Sequence, residues 1–279
     1  METNTSVSQS IGSKVHSSLQ VRTYKNMALL LDLILIKAVF NLRSEVQRNY
    51  LSYAWWIIEP LLYMVVYYVV FGILLKSGGE NFTVFLLTGL IPWMWFSKSI
   101  TGSSSSILTG QNLMLQVGTP PILFPLVIVT QVIIKQLPVF LLLVAYVWLH
   151  GFSPEVHWWA LIPIILVQAV LTTAVACAVA AIIPFIRDLS YLVPTGLTFL
   201  MFLSGVFYDY KRIDSEWQDV FILNPLAFLL KCYRDIFINA TPPDFSTLAY
   251  LGAGSFIGCV LMFFAYQQLR YIYPRIVTE

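Results

Sequence analysis

Six stretches of the 279-residue chain, at 51–75, 82–101, 122–149, 158–185, 191–208 and 248–271, are almost wholly apolar. Each is about as long as a helix that crosses a hydrocarbon layer of about 30 Å. Inside such a layer every backbone N–H and C=O has to be paired within its own segment, so each stretch is expected to be one helix. A water-soluble globule could not bury six of them. The composition agrees: 58% of residues are hydrophobic and 11% charged, against roughly 25% charged in ordinary soluble domains. Mean hydropathy is +0.77. The expectation is an all-α polytopic membrane protein, one domain with six transmembrane helices. A soluble enzyme, a disordered chain and a nucleic-acid binder do not fit, and a net charge of +2 names no partner.

Three further segments flank or interrupt these spans. Residues 1–26 are polar and Ser/Thr-rich, without the pattern of a signal peptide, and read as a mobile cytosolic tail. Residues 27–40 (MALLLDLILIKAVF) would make about 21 Å of helix, too short to cross, and carry Asp32 and Lys37. With its polar continuation to Arg48, the stretch 27–48 reads as an amphipathic interfacial helix lying on the membrane. Residues 217–238 (WQDVFILNPLAFLLKCYRDIFI) are broken at Asn224-Pro225, because Pro225 lacks an N–H and biases Asn224 away from helix. A short re-entrant helical pair between spans 5 and 6 is expected; an external loop with a surface helix is the alternative.

Lys and Arg mark the cytosolic side. Lys14, Arg22, Lys25, Lys37, Arg43 and Arg48 precede span 1, Arg187 follows span 4, and Arg270 and Arg275 lie at the end of the chain. The opposite side has Lys76, then Lys211, Arg212, Lys231 and Arg234 in one long loop, which weighs less. Both termini are therefore expected in the cytosol. Residues 76–81 and 150–156 read as tight external turns, and 102–121 as a longer cytosolic connection.

No G-x-x-x-x-G-K-[ST], H-E-x-x-H or G-x-S-x-G occurs, and His16, His150 and His157 stand apart. Cys177, Cys232 and Cys259 have no C-x-x-C spacing and read as apolar fillers. No metal, cofactor or catalytic residue is expected in this chain, and it cannot split ATP by a phosphate loop of its own. Charges inside spans are costly and point to function. Glu59 lies in span 1, Lys98 near the cytosolic end of span 2 and Lys135 in the middle of span 3. Lys98 can snorkel to the headgroups. Lys135 sits too deep for that and calls for a partner, such as Glu59, or a polar cavity.

Aromatic residues form stripes. Tyr63, Tyr67 and Phe71 recur at i, i+4 and i+8 with Tyr68 beside them, and Phe199, Phe202 and Tyr208 belong to span 5 and its exit. They read either as helix packing and interface belts or as a wall offering weak, repeated contacts to sugars. Small residues at 172–181 (TTAVACAVAA) and at Gly252, Gly254 and Gly258 permit close helix contact.

Five motifs, in order, resemble the ABC-2 type transporter permeases. They are residues 42–71 (LRSEVQRNYLSYAWWIIEPLLYMVVYYVVF), 89–95 (GLIPWMW), 103–113 (SSSSILTGQNL), Arg187-Asp188-Leu189, and Asn224-Pro225-Leu226 followed by Arg234. The resemblance runs from about residue 27 to the end of the chain, and its subgroup exports lipid-linked polysaccharide such as O-antigen. It implies a non-enzymatic permease of the bacterial inner membrane, paired as a homodimer, with two ABC ATPase subunits that bind the ATP and Mg. The polymer would pass between the permeases along spans 1 and 5, lined by Tyr63, Tyr67, Tyr68, Phe71, Phe199, Phe202 and Tyr208. Arg43, Glu45 and Arg48 would form a gate at the headgroups. Gln111, Asn112, Gln116, Arg187 and Asp188 would meet the ATPase, although the coupling stretch lacks the basic residues many members carry there. A permease for drugs or small lipophiles, and a membrane-embedded glycosyl- or acyltransferase, are the competing expectations.

Overall fold

The computed structural model describes residues 27–48, 52–74, 81–152, 154, 156–212 and 214–278. The expected tail at 1–26 and the turn at 76–80 lie outside the described residues. Among the described residues all regular structure is helical. Helix α1 is Met27–Arg48, α2 is Ser52–Tyr67 and runs on as a π-helical segment, Tyr68–Leu74. Then come α3 (Phe82–Ser104), α4 (Ser106–Thr109), α5 (Gln111–Val117) and α6 (Leu123–Leu149). A 3₁₀ turn, Val156–Ala160, leads into α7 (Leu161–Ile182), followed by α8 (Leu189–Leu203). After a 3₁₀ turn at Tyr210–Arg212 come α9 (Ser215–Ile222), α10 (Pro225–Phe237), α11 (Phe245–Leu269) and α12 (Tyr273–Thr278).

Four helical stretches are long and apolar enough to cross a membrane: Ala54–Leu74, Leu123–Leu149, Val156–Ile182 and Phe245–Leu269. The fifth expected span, α8, is shorter at 15 residues. The expected break at Asn224-Pro225 separates α9 from α10. There the Asn224 side chain accepts a hydrogen bond from Leu226 N at 3.0 Å, and Pro225 opens the helix at the position where a missing N–H costs least.

α3 is the axis of the bundle and packs against α6, α7, α8 and α10. Most of its residues are buried, from Leu86 and Leu90 to Trp93, Met94 and Phe96. Pro92 cannot donate a backbone bond inside this helix. Neighbouring glutamines supply polar contacts around it: Gln136 of α6 donates to Ile91 O at 3.1 Å and Gln168 of α7 to Pro92 O at 2.9 Å. Tyr233 of α10 donates in turn to Gln168 Oε1 at 2.7 Å. Three elements are thereby pinned to the proline turn of α3 by buried bonds, each of which would be expensive to leave unmade.

The connections gather at two ends. At one, Tyr273 OH donates to Ala181 O at 3.1 Å, and Arg187 donates to Ile276 O at 3.2 Å. The first bond has a local cause. Pro184 breaks the end of α7 and Phe185 N turns back to Ile182 O, so Ala181 O is taken up by the tyrosine. At the other end, Trp158 packs edge-on against Phe237 at 5.2 Å and Trp159 stacks on Phe245 at 5.4 Å. α11 begins with the Asp244 carboxylate accepting from the Ser246 and Thr247 hydroxyls and amides, which holds its pKa down at about 2. α11 lies against α7 with Gly258 facing Ala174, while Gly254 faces open space. Only one glycine of that G-x-x-x-G pair is therefore a contact.

α1 does not stand apart from the bundle. Leu30, Ile34, Ala38 and Leu42 recur every fourth residue and are buried, while Leu31, Leu35, Ile36 and Phe40 remain exposed. Ile34 and Ala38 pack with Leu123 and Val127, and Glu45 reaches Lys135 farther along α6. Contacts advance in the same sense on both helices, so α1 runs lengthwise beside the first half of α6.

Candidate functional site

The aromatic stripe of α2 is continued by the chain leaving α8. Tyr63 and Tyr67 stack at 6.1 Å, Tyr67 and Phe71 lie at 6.5 Å, and Phe207 closes on both, at 4.5 Å and 4.8 Å. Phe202 adds a further ring 5.4 Å from Phe207. Tyr67 also directs its hydroxyl at Met201 Sδ, 3.9 Å away. Tyr63, Tyr68, Phe199 and Phe202 are exposed, while Tyr67, Phe71 and Tyr208 are half-buried. Tyr208 donates to Phe202 O at 2.8 Å and so folds back on the end of α8. A pocket of about 240 Å³ beneath this row joins Tyr63 and Tyr67 to Glu59, Lys98, Thr198 and Met201. α2 and its continuation to Leu74 are largely bare, with far fewer buried residues than Leu123–Leu149. An aromatic face with few covered neighbours can stack on ring-shaped C–H surfaces and offer hydroxyls beside them.

The three charges within the spans all have partners, but not those the spacing suggested. Lys98 donates to Glu59 Oε2 at 2.6 Å, and Lys135 donates to both oxygens of Glu45 at 2.6 and 2.8 Å. Of the two readings for Lys135, a partner such as Glu59 or a polar cavity, the partner is Glu45, because α1 brings Glu45 to α6 while α2 faces α3 through Glu59; Lys135 and Glu59 line one cavity. Lys98 is held by a carboxylate of the neighbouring helix and does not depend on snorkelling. Arg43 is exposed on α1. Arg48 ends α1, and its side chain lies outside the described residues.

Sequence reasoning passed over Asn224 and Arg234 as site residues, although both stand in a quoted motif. The Arg234 guanidinium is 9% exposed and donates to Gly205 O at 2.8 Å and Val206 O at 2.9 Å. Its carbon lies 3.6 Å from the centre of the Phe85 ring. Gly205 has φ +69°, the left-handed region that favours glycine. Asn224 Nδ2 donates to Ser204 Oγ at 3.1 Å from the other end of α10. The two motif residues thus grip the 204–206 turn, which delivers Phe207 to the α2 stripe. Arginine alone among side chains offers the planar fork for two adjacent carbonyls.

The segment expected to couple to a partner is a seven-residue helix, α5. Met114 is buried among Ile107, Phe124, Tyr266 and Tyr273. Asn112 and Gln116 are exposed and Gln111 is half-buried. Gly118 ends the helix at φ +69° with its N–H on Met114 O. Arg187 and Asp188 are exposed at the same end of the molecule, and α12 touches α5. α5 and Arg187 thus both meet α12, which brings the two expected coupling stretches to the same end of the molecule.

Among the described residues no group of His, Cys, Asp and Glu is arranged to hold a metal ion. Residues 34–238 match the family described as ABC-2 type transporter. Two O-antigen export system permease proteins RfbA of Klebsiella pneumoniae are each 26% identical to the chain. One aligns over 93% of this chain and 100% of its own length, the other over 90% and 97%. The O-antigen export system permease protein RfbA of Myxococcus xanthus is 31% identical over 78% of this chain and 84% of its own. The chain belongs to the ABC-2 type transporter family.

Proposed function

We propose that this chain is the permease subunit of an ATP-driven exporter that moves lipid-linked polysaccharide, O-antigen first among candidates, across the bacterial inner membrane. The observation that carries the reading is the aromatic row from Tyr63 through Tyr67, Phe71 and Phe207 to Phe202, which is exposed at its Tyr63 and Phe202 ends. Such a row gives a sliding glycan many weak contacts and no single tight one. The names of the relatives, O-antigen export permeases, supply the substrate class.

In this reading α2, α3, α6, α7, α8 and α11 are the six spans, both termini are cytosolic, and α9 and α10 form the re-entrant pair. Two copies meet along the bare face of α2 and enclose the passage, with α8 contributing Phe199 and Phe202. Two ABC ATPase subunits, which hold the ATP and Mg, dock on the face formed by Gln111, Asn112, Gln116, Arg187 and Asp188. Arg43 and Arg48 of α1 meet the anionic headgroup of the substrate, a task suited to guanidinium groups. Glu45 serves the gate from within, by its hold on Lys135. Closure of the ATPases pushes on α5, and the movement reaches α7 and α11 through Tyr273 and Tyr266.

Deletion of the gene, followed by extraction of surface and intracellular glycan, tests the proposal. Loss of surface polymer with lipid-linked polymer accumulating inside is expected. Unchanged surface polymer overturns it.

A further inference from the structure

A cavity of about 490 Å³ opens where α1, α2, α3 and α6 converge, bounded by Glu45, Trp55, Glu59, Lys98, Gln131 and Lys135. Its size falls in the range of small-molecule sites, roughly 300–1,000 Å³. Its chemistry is unusual for a bundle of spanning helices. Two ammonium groups and two carboxylates share the wall as two pairs, each closed to 2.6 Å, so the charge sums to zero. These side chains keep between 28% and 41% of their surface open, so their remaining donor and acceptor positions stay reachable. Gln131 adds a buried amide nitrogen with no hydrogen-bond partner. Trp55, 52% exposed, and Trp56, whose ring lies 5.6 Å from the Lys135 ammonium, supply flat aromatic faces.

Three ligand chemistries can be set against this wall. An apolar ligand would strip water from four charged groups and return no hydrogen bonds. A diphosphate would bring its negative charge against Glu45 and Glu59, whose own charges already neutralise the two lysines. A neutral polyol breaks neither pair: its hydroxyls donate to Glu45 and Glu59 and accept from Lys98, Lys135 and Gln131, while a C–H face lies on an indole. We propose that this cavity is a carbohydrate subsite that takes one sugar unit of the transported glycan before it reaches the aromatic row. The inference rests on the export function proposed above. Glu59 and Lys98 line both this cavity and the pocket under Tyr63 and Tyr67, so they stand as the wall between the two.

The test uses the full permease–ATPase complex in nanodiscs and a labelled oligosaccharide repeat released from the host's own surface glycan. Equilibrium dialysis is run on the wild type, on Trp55→Leu and on Gln131→Leu, with inorganic diphosphate as competitor. Trp55 is exposed enough for its replacement to leave packing intact, and thermal unfolding checks both variants. Saturable binding, weakened tenfold or more in each folded variant and untouched by diphosphate, is expected. Absence of binding by the wild type, equal binding in both variants, or displacement by diphosphate overturns the subsite. Loss of surface glycan on gene deletion would leave the export reading standing in any of those cases.

Discussion

Glu45 and Lys135 stand 90 positions apart and meet at 2.6 Å, so α1 is tied by charge to the middle of α6. Both side chains are partly open and line the cavity where α1, α2, α3 and α6 converge. In the proposed gate this pair is the release point for α1. Glu45→Gln and Lys135→Met should each lower the unfolding midpoint and reduce export strongly. The exchanged pair, Glu45→Lys with Lys135→Glu, should recover most of the loss. Failure of the exchange to recover any export would remove the gate from the account.

Arg234 makes the opposite kind of contribution. Its two bonds to Gly205 O and Val206 O are buried, and hydrogen bonds to a charged group contribute about 1.5–3 kcal/mol each. Arg234→Ala should destabilise the protein by roughly 3 kcal/mol or more, read as a fall in thermal midpoint in detergent. Arg234→Lys should fall between, since an ammonium cannot fork to two carbonyls. Gly89→Ala should copy part of the effect, because a Cβ there would stand 2.5 Å from Arg234 Nη2. An unchanged midpoint in Arg234→Ala would contradict the clamp.

Gly110 sits directly against the Phe124 ring at the foot of α5, with no room for a Cβ. Gly110→Ala should tilt α5 off its seat. The expected result is a complex that still assembles and hydrolyses ATP but exports several times less glycan per ATP. Normal export per ATP would show that the pose of α5 is not what couples the two.

Tyr63→Ala with Tyr67→Ala removes two rings of the α2 stripe, one of them exposed. Surface glycan should shift toward shorter chains while permease abundance stays at the wild-type level. A wild-type chain-length profile on a gel would return these tyrosines to a packing role.

The apolar lengths made most of the helices legible, because lipid allows few alternatives to a hydrogen-bonded helix. The Asn224-Pro225 break was legible for a local reason, the missing N–H of the proline. What the sequence could not show were contacts set by which helices adjoin. Depth alone asked for a partner such as Glu59 or a polar cavity at Lys135, and could not show that α1 carries Glu45 to Lys135 and leaves Glu59 to Lys98. Gly254 and Gly258 share a helix face by spacing, but only Gly258 meets α7. Arg234 read as one more basic residue of an external loop. Its burial depends on a glycine 145 positions earlier and on a turn bent by another, neither of which has a signal in the neighbouring sequence.

Transport into inverted membrane vesicles shows whether the protein moves glycan across the bilayer. Vesicles holding the permease and its ATPase are given labelled lipid-linked glycan and ATP, and label sealed inside is counted. ATP-dependent uptake is expected, lost when either subunit is omitted and reduced by Tyr63→Ala with Tyr67→Ala. Glycan that stays outside the wild-type vesicles, or that enters without the ATPase, would contradict the export reading.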